Sequence, residues 1–169
     1  IKFTMLNVSK NKIVNFNLKN ATSFTGESGM YILYSIVRMK SILKNNNIKL
    51  SNKIKFNNEI ENRIIKELSL FPEQINEILE SNEPTHLTKY IFNLTQLFSK
   101  FYEEVNISNE EDIVLKSSRI RLLKCLIDVL TKSLKILGIE TIDKIWQYWC
   151  ALLKYVFVKR KELMHVCWK

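Results

Sequence analysis

Apolar residues recur at helical spacing along most of the chain. From Leu87 to Val105 they repeat about every 3.5 residues, and a second such run predicts a helix over about 115–137, capped by Gly138. Shorter amphipathic runs predict helices over about 29–45, 58–69, 72–80 and 142–161. Only three glycines and two prolines are present, too few for the many turns of a sheet-rich fold. The pattern therefore predicts an antiparallel helical bundle.

The N-terminal residues depart from this helical pattern. Ile1–Leu6 and Lys12–Asn17 have the composition of two short β-strands, and the polar stretch Val8–Asn11 lies between them as a turn. An isolated hairpin is only marginally stable, so we expect it to pack against a preceding part of a longer protein. A start without Met also favours a fragment. The predicted fold class is an all-α bundle with a short N-terminal β-hairpin.

The charge of the chain is positive and unevenly distributed. The formal net charge is +9, which suits a polyanionic partner such as nucleic acid, or an anionic membrane surface. No Asp or Glu lies between Ser28 and Asn58, whereas seven glutamates lie between Glu59 and Glu83. A basic segment followed by an acidic one predicts a directed electrostatic face, although solvated helix surfaces would give the same pattern.

Residues for catalysis or metal binding are not recognisable. The sequence has no GxxxxGK[ST], GxGxxG or HExxH motif, and the pair His165 and Cys167 is too small a ligand set for zinc. We therefore assign no catalytic and no metal residue. The odd number of cysteines, without CxxC spacing, is typical of a reducing compartment and favours a cytoplasmic protein. The apolar run over 148–158 is too short to span a bilayer.

Three side chains of the predicted helix over 29–45 suggest a ligand. Tyr31, Tyr34 and Arg38 fall within one quadrant, opposite an apolar stripe that begins at Ile32. Tyrosine rings stack on unpaired bases, and arginine adds planar stacking and paired donors, so the set suits a single-stranded RNA loop. The alternative is that these residues only pack and pair within the bundle.

Several segments, in order, resemble one family. "GMYILYSIVRMKSIL", "EPTHLTKYIFNLTQLFSKFYEEV" and "RIRLLKCLIDVLTKSLKILGIE" resemble successive helices of the C-terminal, DALR-type anticodon-binding domain of arginyl-tRNA synthetases. The resemblance covers about residues 1–145. It has departures: Met30 replaces the family's proline, Leu33 replaces its glutamine, and only Leu87 remains of the DALR signature.

The resemblance implies a division of the chain. Residues 1–25 would be a hairpin and linker from the end of a catalytic region, 26–145 the anticodon-binding bundle, and 146–169 a C-terminal extension without a family counterpart. The HIGH and KMSKS signatures of class I synthetases are absent. The resemblance therefore implies an arginine–tRNA ligase whose ATP and magnesium chemistry belongs to an upstream catalytic domain, with no cofactor in this fragment.

The resemblance also implies a binding site for the anticodon loop of tRNA(Arg). By position, Tyr34 and Arg38 would face the loop, Tyr31 would support them from within the core, and Ile145 would stand near the family's terminal, loop-contacting Met. Because all arginine codons have G in the middle, the base to be read is a middle C. Nearby lysines would hold RNA phosphates: Lys40, Lys44, Lys49 and Lys53.

Two other functions remain open at this point. The same bundle occurs in other class I synthetases, such as the cysteinyl enzyme. A non-enzymatic basic helical module, whose tail over 146–158 docks on a partner or a membrane, would also fit the composition. Our expectation is a monomer that binds tRNA(Arg), joined to its catalytic domain and without membrane association.

Overall fold

The computed structural model describes residues 1–9, 11–13, 16–24, 26–46, 48 and 50–143. Within these ranges all regular secondary structure is helical, and no helix has both the length and the apolarity needed to cross a bilayer. The helices of the described ranges are α1 (Lys2–Leu6), α2 (Leu18–Ala21), α3 (Gly29–Asn45), α4 (Glu59–Ser69), α5 (Phe71–Ser81), α6 (Thr85–Glu104) and α7 (Ile113–Ile136). The predicted helical bundle is confirmed.

Helices α6 and α7 form the centre of the bundle. The repeating apolar residues of α6 are all buried, because their helical spacing places them on one face that the neighbouring helices cover. The buried set of α6 that the spacing predicted is Leu87, Ile91, Leu94, Phe98 and Phe101, followed by Val105 just beyond the helix.

Helix α7 has well-defined ends. At its start the Asp112 side chain accepts hydrogen bonds from the backbone N–H groups of Val114 and Leu115, at 2.9 and 3.2 Å. At its end Gly138 adopts a positive φ of 65°, and the N–H of Ile139 donates to the carbonyl of Leu134 at 2.8 Å. The positive φ of Gly138 and the bond from Ile139 to Leu134 form a Schellman-type cap at the end of α7. The predicted stop at Gly138 is therefore confirmed.

Helix α3 packs on both central helices and carries the candidate site. Its first turn is capped by Ser28, whose hydroxyl accepts from the backbone N–H of Tyr31 at 3.1 Å. Its apolar stripe faces inward: Ile32, Ile36 and Met39 are fully buried, so the predicted core face of this helix is confirmed. The side of α3 opposite this stripe faces solvent and α6.

The predicted N-terminal β-hairpin is wrong. Residues 2–6 form α1, residues 18–21 form α2, and no strand occurs within the described ranges. In α1 the only buried residue is Phe3, which packs against Gly29, whereas Ile1 and Ile13 are 67% and 98% exposed. A hairpin would need an apolar surface to cover its alternate residues, and a short helix anchored by a single ring does not.

The segment between α3 and α4 is an ordered strap. We use "basic strap" for residues 50–58, which run along α7 without regular secondary structure. The N–H of Ser51 donates to the Ser117 hydroxyl at 2.8 Å, and the N–H of Lys55 donates to the Ser118 hydroxyl at 2.9 Å. Arg121 also donates to the carbonyl of Ser51. The buried serines of α7 thus fix the course of the basic strap.

A buried ion network joins α4 to α7. The Arg119 guanidinium donates to the carboxylate of Glu61 at 2.5 Å, to that of Glu110 at 2.5 Å and to the amide oxygen of Asn57 at 3.0 Å. Glu61 is fully buried and also accepts from the N–H of Asn58 at 3.0 Å, which completes a capping box at the start of α4. Each buried charge is therefore paired, as burial requires.

Candidate nucleotide-binding face

An arginine and two tyrosines lie exposed on the outer side of α3 and α6. Arg38 is exposed, and its Cζ lies 3.6 Å from the centroid of the Tyr102 ring, which is the geometry of a cation–π contact. Tyr34, one turn before Arg38, is 40% exposed. Its ring packs edge-on against the ring of Phe24, with the two ring centroids 6.1 Å apart. We call the surface formed by Tyr34, Arg38 and Tyr102 the tyrosine–arginine face.

Tyr31 has a different environment from Tyr34. It is half-buried, its hydroxyl lies 2.7 Å from that of Ser99, and its ring lies 6.1 Å from the ring of Phe92. Both contacts are to α6, so Tyr31 joins α3 to α6. Tyr31 is therefore half-buried between α3 and α6 rather than within the core, and Tyr34 and Arg38 are the accessible side chains.

A polar groove opens beside Arg38. It has a volume of about 430 Å³ and lies between the last turns of α3 and α6 and the loop that follows α6. Its floor is partly apolar, while its rim carries hydroxyl, amide and carboxylate groups. A groove with an apolar floor and several polar side chains can accept a planar heterocycle. Its polar lining comes from Arg38, Ser41 and Asn45 on α3, from Tyr102, Glu103 and Glu104 on α6, and from Asn106 and Ser108 on the loop.

The loop wall of the groove is held from behind. The Lys116 ammonium donates to the carbonyl of Ser108 at 2.9 Å, and Arg119 holds Glu110 through its carboxylate. Asn46 adds a longer contact of 3.4 Å to the Ser108 hydroxyl. The buried ion network thus stabilises one wall of the groove as well as the start of α4.

The predicted phosphate-binding lysines do not form one cluster. Lys40 pairs with Asp143 at 2.5 Å, and this contact holds the pKa of the Asp143 carboxyl below its usual value. Because Lys40 follows Arg38 by two helical positions, it lies on the opposite side of α3, and Lys44 shares that side. Lys53 is exposed on the basic strap. Lys49 and Ile145 lie outside the described residues, as does almost all of the predicted helix over 142–161.

The basic strap has its own ion pair. The Lys55 ammonium donates to the Asp112 carboxylate at 2.7 Å. This hydrogen bond, with the helix N–H groups that Asp112 caps, holds the pKa of that carboxyl below its usual value, and the same bond raises the pKa of Lys55. Lys55 is therefore bound to Asp112, whereas Lys53 keeps a free ammonium in the described part of the chain.

Sequence reasoning missed Tyr102. The apolar repeat of α6 uses Phe98 and Phe101, and Tyr102 lies one position beyond that seam, where the pattern assigns it no partner. An aromatic ring just off the core seam was the available signal. Its contact with Arg38 depends on the packing of α3 against α6, which the sequence pattern does not specify.

Exposed tyrosine and arginine side chains are groups with which proteins bind unpaired nucleotides. A family comparison agrees with this class of protein. The sequence model of the DALR anticodon binding domain matches residues 32–145. The chain therefore belongs to the DALR anticodon binding domain family.

Similar proteins carry the name arginine–tRNA ligase. The enzyme of Clostridium botulinum (strain Alaska E43 / Type E3) is 34% identical over 146 residues, which cover 85% of this chain and 26% of the enzyme. That of Clostridium beijerinckii is 34% identical over 144 residues, with 84% and 26% covered. The chain spans about a quarter of the length of these curated relatives.

Solved structures share the fold. Thermus thermophilus arginyl-tRNA synthetase superimposes with a TM-score of 0.79 at 23% identity, covering 85% of this chain and 26% of that enzyme. The Plasmodium falciparum enzyme gives 0.76 at 24% identity, with the same two shares covered. At these identities the likeness concerns the fold.

Proposed function

We propose that this chain is the anticodon-binding part of an arginine–tRNA ligase and binds the anticodon loop of tRNA(Arg) through the tyrosine–arginine face. The observation that carries the proposal is the exposed Arg38, set over the Tyr102 ring at the mouth of a polar groove. Family membership and the names of the curated relatives support the same function. The aminoacylation reaction itself belongs to a catalytic domain elsewhere in the full enzyme.

Tyr34 and Arg38 have complementary parts in this proposal. The Tyr34 ring is accessible for stacking on an unpaired base, and the Arg38 guanidinium donates hydrogen bonds to a base edge or a phosphate. Tyr31 holds α3, which carries both side chains, against α6. Lys53, Lys44 and Lys49 contribute attraction to phosphate without reading the sequence, whereas Lys40 is paired with Asp143.

ATP and magnesium belong to the catalytic domain in this proposal. Within the described residues no group of three or more His, Cys, Asp or Glu side chains is placed to hold a metal, and the sequence has no phosphate-binding glycine loop. The proposal also divides the chain near residue 26, where the anticodon-binding bundle begins. The bundle acts in the cytoplasm and as a monomer.

The test is binding of anticodon stem-loops to the whole chain. Tyr34→Ala should weaken binding of a tRNA(Arg) stem-loop with a middle C by about 1–3 kcal/mol, because one stacked base is lost, and should reduce discrimination against a middle U. Arg38→Ala should weaken binding and, if the contact is to phosphate, flatten its salt dependence. Lys53→Ala should weaken binding of all RNAs alike.

A matched control is Arg63→Ala, which removes an exposed cation from α4 and leaves α3 unchanged. Circular dichroism would establish that each variant keeps its helices. If Tyr34→Ala and Arg38→Ala both bind the stem-loop as tightly as the parent chain, the tyrosine–arginine face does not bind the anticodon. Capture of tRNA from a total pool separates arginine specificity from that of a cysteinyl-type domain.

A further inference from the structure

Among the described residues, Arg38 contacts an aromatic ring alone. Its guanidinium makes no hydrogen bond or ion pair to any residue in the described ranges, and its one partner there is the ring of Tyr102. That ring is itself fixed, because it lies 6.2 Å from the ring of Phe98, which is 1% exposed. The chain of contacts runs from the core through Tyr102 to the exposed arginine.

This arrangement leaves the arginine's donors available. An aromatic ring attracts the guanidinium through its face, whereas the N–H donors point outward in the guanidinium plane. A carboxylate partner would instead consume those donors in hydrogen bonds. Glu103 and Glu104 border the same groove, yet neither pairs with Arg38 among the described residues.

A restrained arginine binds with a smaller loss of entropy. A free arginine side chain samples many rotamers, and ordering it in a complex opposes binding. Stacking on Tyr102 restricts the guanidinium before a ligand arrives. The groove beside it offers hydroxyl and amide groups from Ser41, Asn45 and Ser108, which suit the edge of an unpaired base.

We infer that Tyr102 is a positioning residue for Arg38, holding the guanidinium at the mouth of the groove with its donors free for an unpaired nucleotide. The inference rests on the proposed function. It assigns a role to the α6 side of the face, and it places the recognition of one nucleotide between α3, α6 and the loop over 105–108.

The test compares single and double variants of the whole chain. Tyr102→Leu removes the ring, and Tyr102→Phe keeps it. We expect Tyr102→Leu to weaken binding of a middle-C tRNA(Arg) anticodon stem-loop by about 2–5-fold and Tyr102→Phe to bind like the parent. Because Tyr102 acts through Arg38, the double variant Arg38→Ala/Tyr102→Leu should bind no more weakly than Arg38→Ala.

A second measurement does not depend on RNA. In NMR spectra of the parent chain and of Tyr102→Phe, the ring should shift the Arg38 side-chain proton signals, and in Tyr102→Leu that shift should vanish. Tyr102 is 41% exposed, so we expect the leucine variant to fold. Ring-shifted Arg38 signals that persist in Tyr102→Leu would overturn the proposed stacking.

The outcomes separate this inference from the proposed function. If Arg38→Ala weakens binding but Tyr102→Leu does not, Tyr102 has no positioning role and the proposed function stands. If the two substitutions weaken binding additively, Tyr102 acts independently of Arg38 and the inference is wrong. If Arg38→Ala binds like the parent while Tyr34→Ala binds more weakly, the inference is wrong and the tyrosine–arginine face still binds through Tyr34. If both variants bind like the parent, the proposed function fails, and the inference fails with it.

Discussion

Two arginines of this bundle have opposite environments. Arg119 is 5% exposed, and its guanidinium is bound by two carboxylates and an amide oxygen. Arg38 is exposed and contacts only an aromatic ring within the described residues. An arginine whose donors are bound inside the protein stabilises the fold, whereas one whose donors are free can bind a ligand.

The same contrast separates the two lysines of the basic strap. Lys55 is paired with Asp112, next to the buried network, and Lys53 projects into solvent. Positive charge along the sequence therefore overstates the charge available to RNA. The count of basic residues suggested a polyanion partner, but the structure shows which of these charges are already neutralised.

The largest expected effect comes from breaking the buried side of the comparison. Arg119→Met should lower the free energy of unfolding by about 3–5 kcal/mol, because the fully buried Glu61 carboxylate then loses its partner. Urea denaturation measures the change. Lys132→Met is the control: it removes an exposed pair with Asp128 and should cost less than about 1 kcal/mol. Equal losses would contradict a structural role for Arg119.

A smaller effect is expected where α7 holds the basic strap. Ser118→Ala removes the acceptor of the Lys55 N–H and should cost about 1 kcal/mol. Ser133→Ala is a matched control, because among the described residues that buried hydroxyl bonds only to the carbonyl of Val129 in its own helix. Denaturation midpoints of the two variants give the difference. A Ser118→Ala variant as stable as Ser133→Ala would show that the strap is held by its other contacts.

Arg38→Ala should change stability still less. Loss of an exposed cation–π contact lowers the free energy of unfolding by at most about 1 kcal/mol, while RNA binding weakens as described above. The two variants then differ in what they change: Arg38→Ala affects RNA binding, and Arg119→Met affects folding. A large loss of stability in Arg38→Ala would place both arginines in the same structural class.

The smallest effect concerns pH. The pKa of Asp112 is lower in the folded chain than in the unfolded chain, so its ionised form stabilises the fold near neutral pH. That contribution is lost as the pH falls below about 4, through the lowered folded-state pKa. Asp112→Asn should therefore reduce the dependence of the melting temperature on pH in this acid range. An unchanged acid dependence would show that Asp112 is not a source of it.

The prediction of the helices succeeded where a long apolar repeat met clear end signals. Helix α6 and the Gly138 cap of α7 are examples, because burial of one face and a positive φ at glycine are local requirements. The N-terminal hairpin failed because short apolar runs fit a strand or a helix equally well. Packing of Phe3 against Gly29 decided that case, and this contact joins residues distant in sequence.

The sequence alone determined the helical fold and the family, since both depend on residue types at regular spacing. Tertiary structure decided which charged and aromatic side chains remain free. Arg38 meets Tyr102, Lys40 meets Asp143 and Lys55 meets Asp112, and the members of each pair are far apart in the chain. A local pattern does not encode such pairs, because they form only when the packed helices bring their side chains within contact distance.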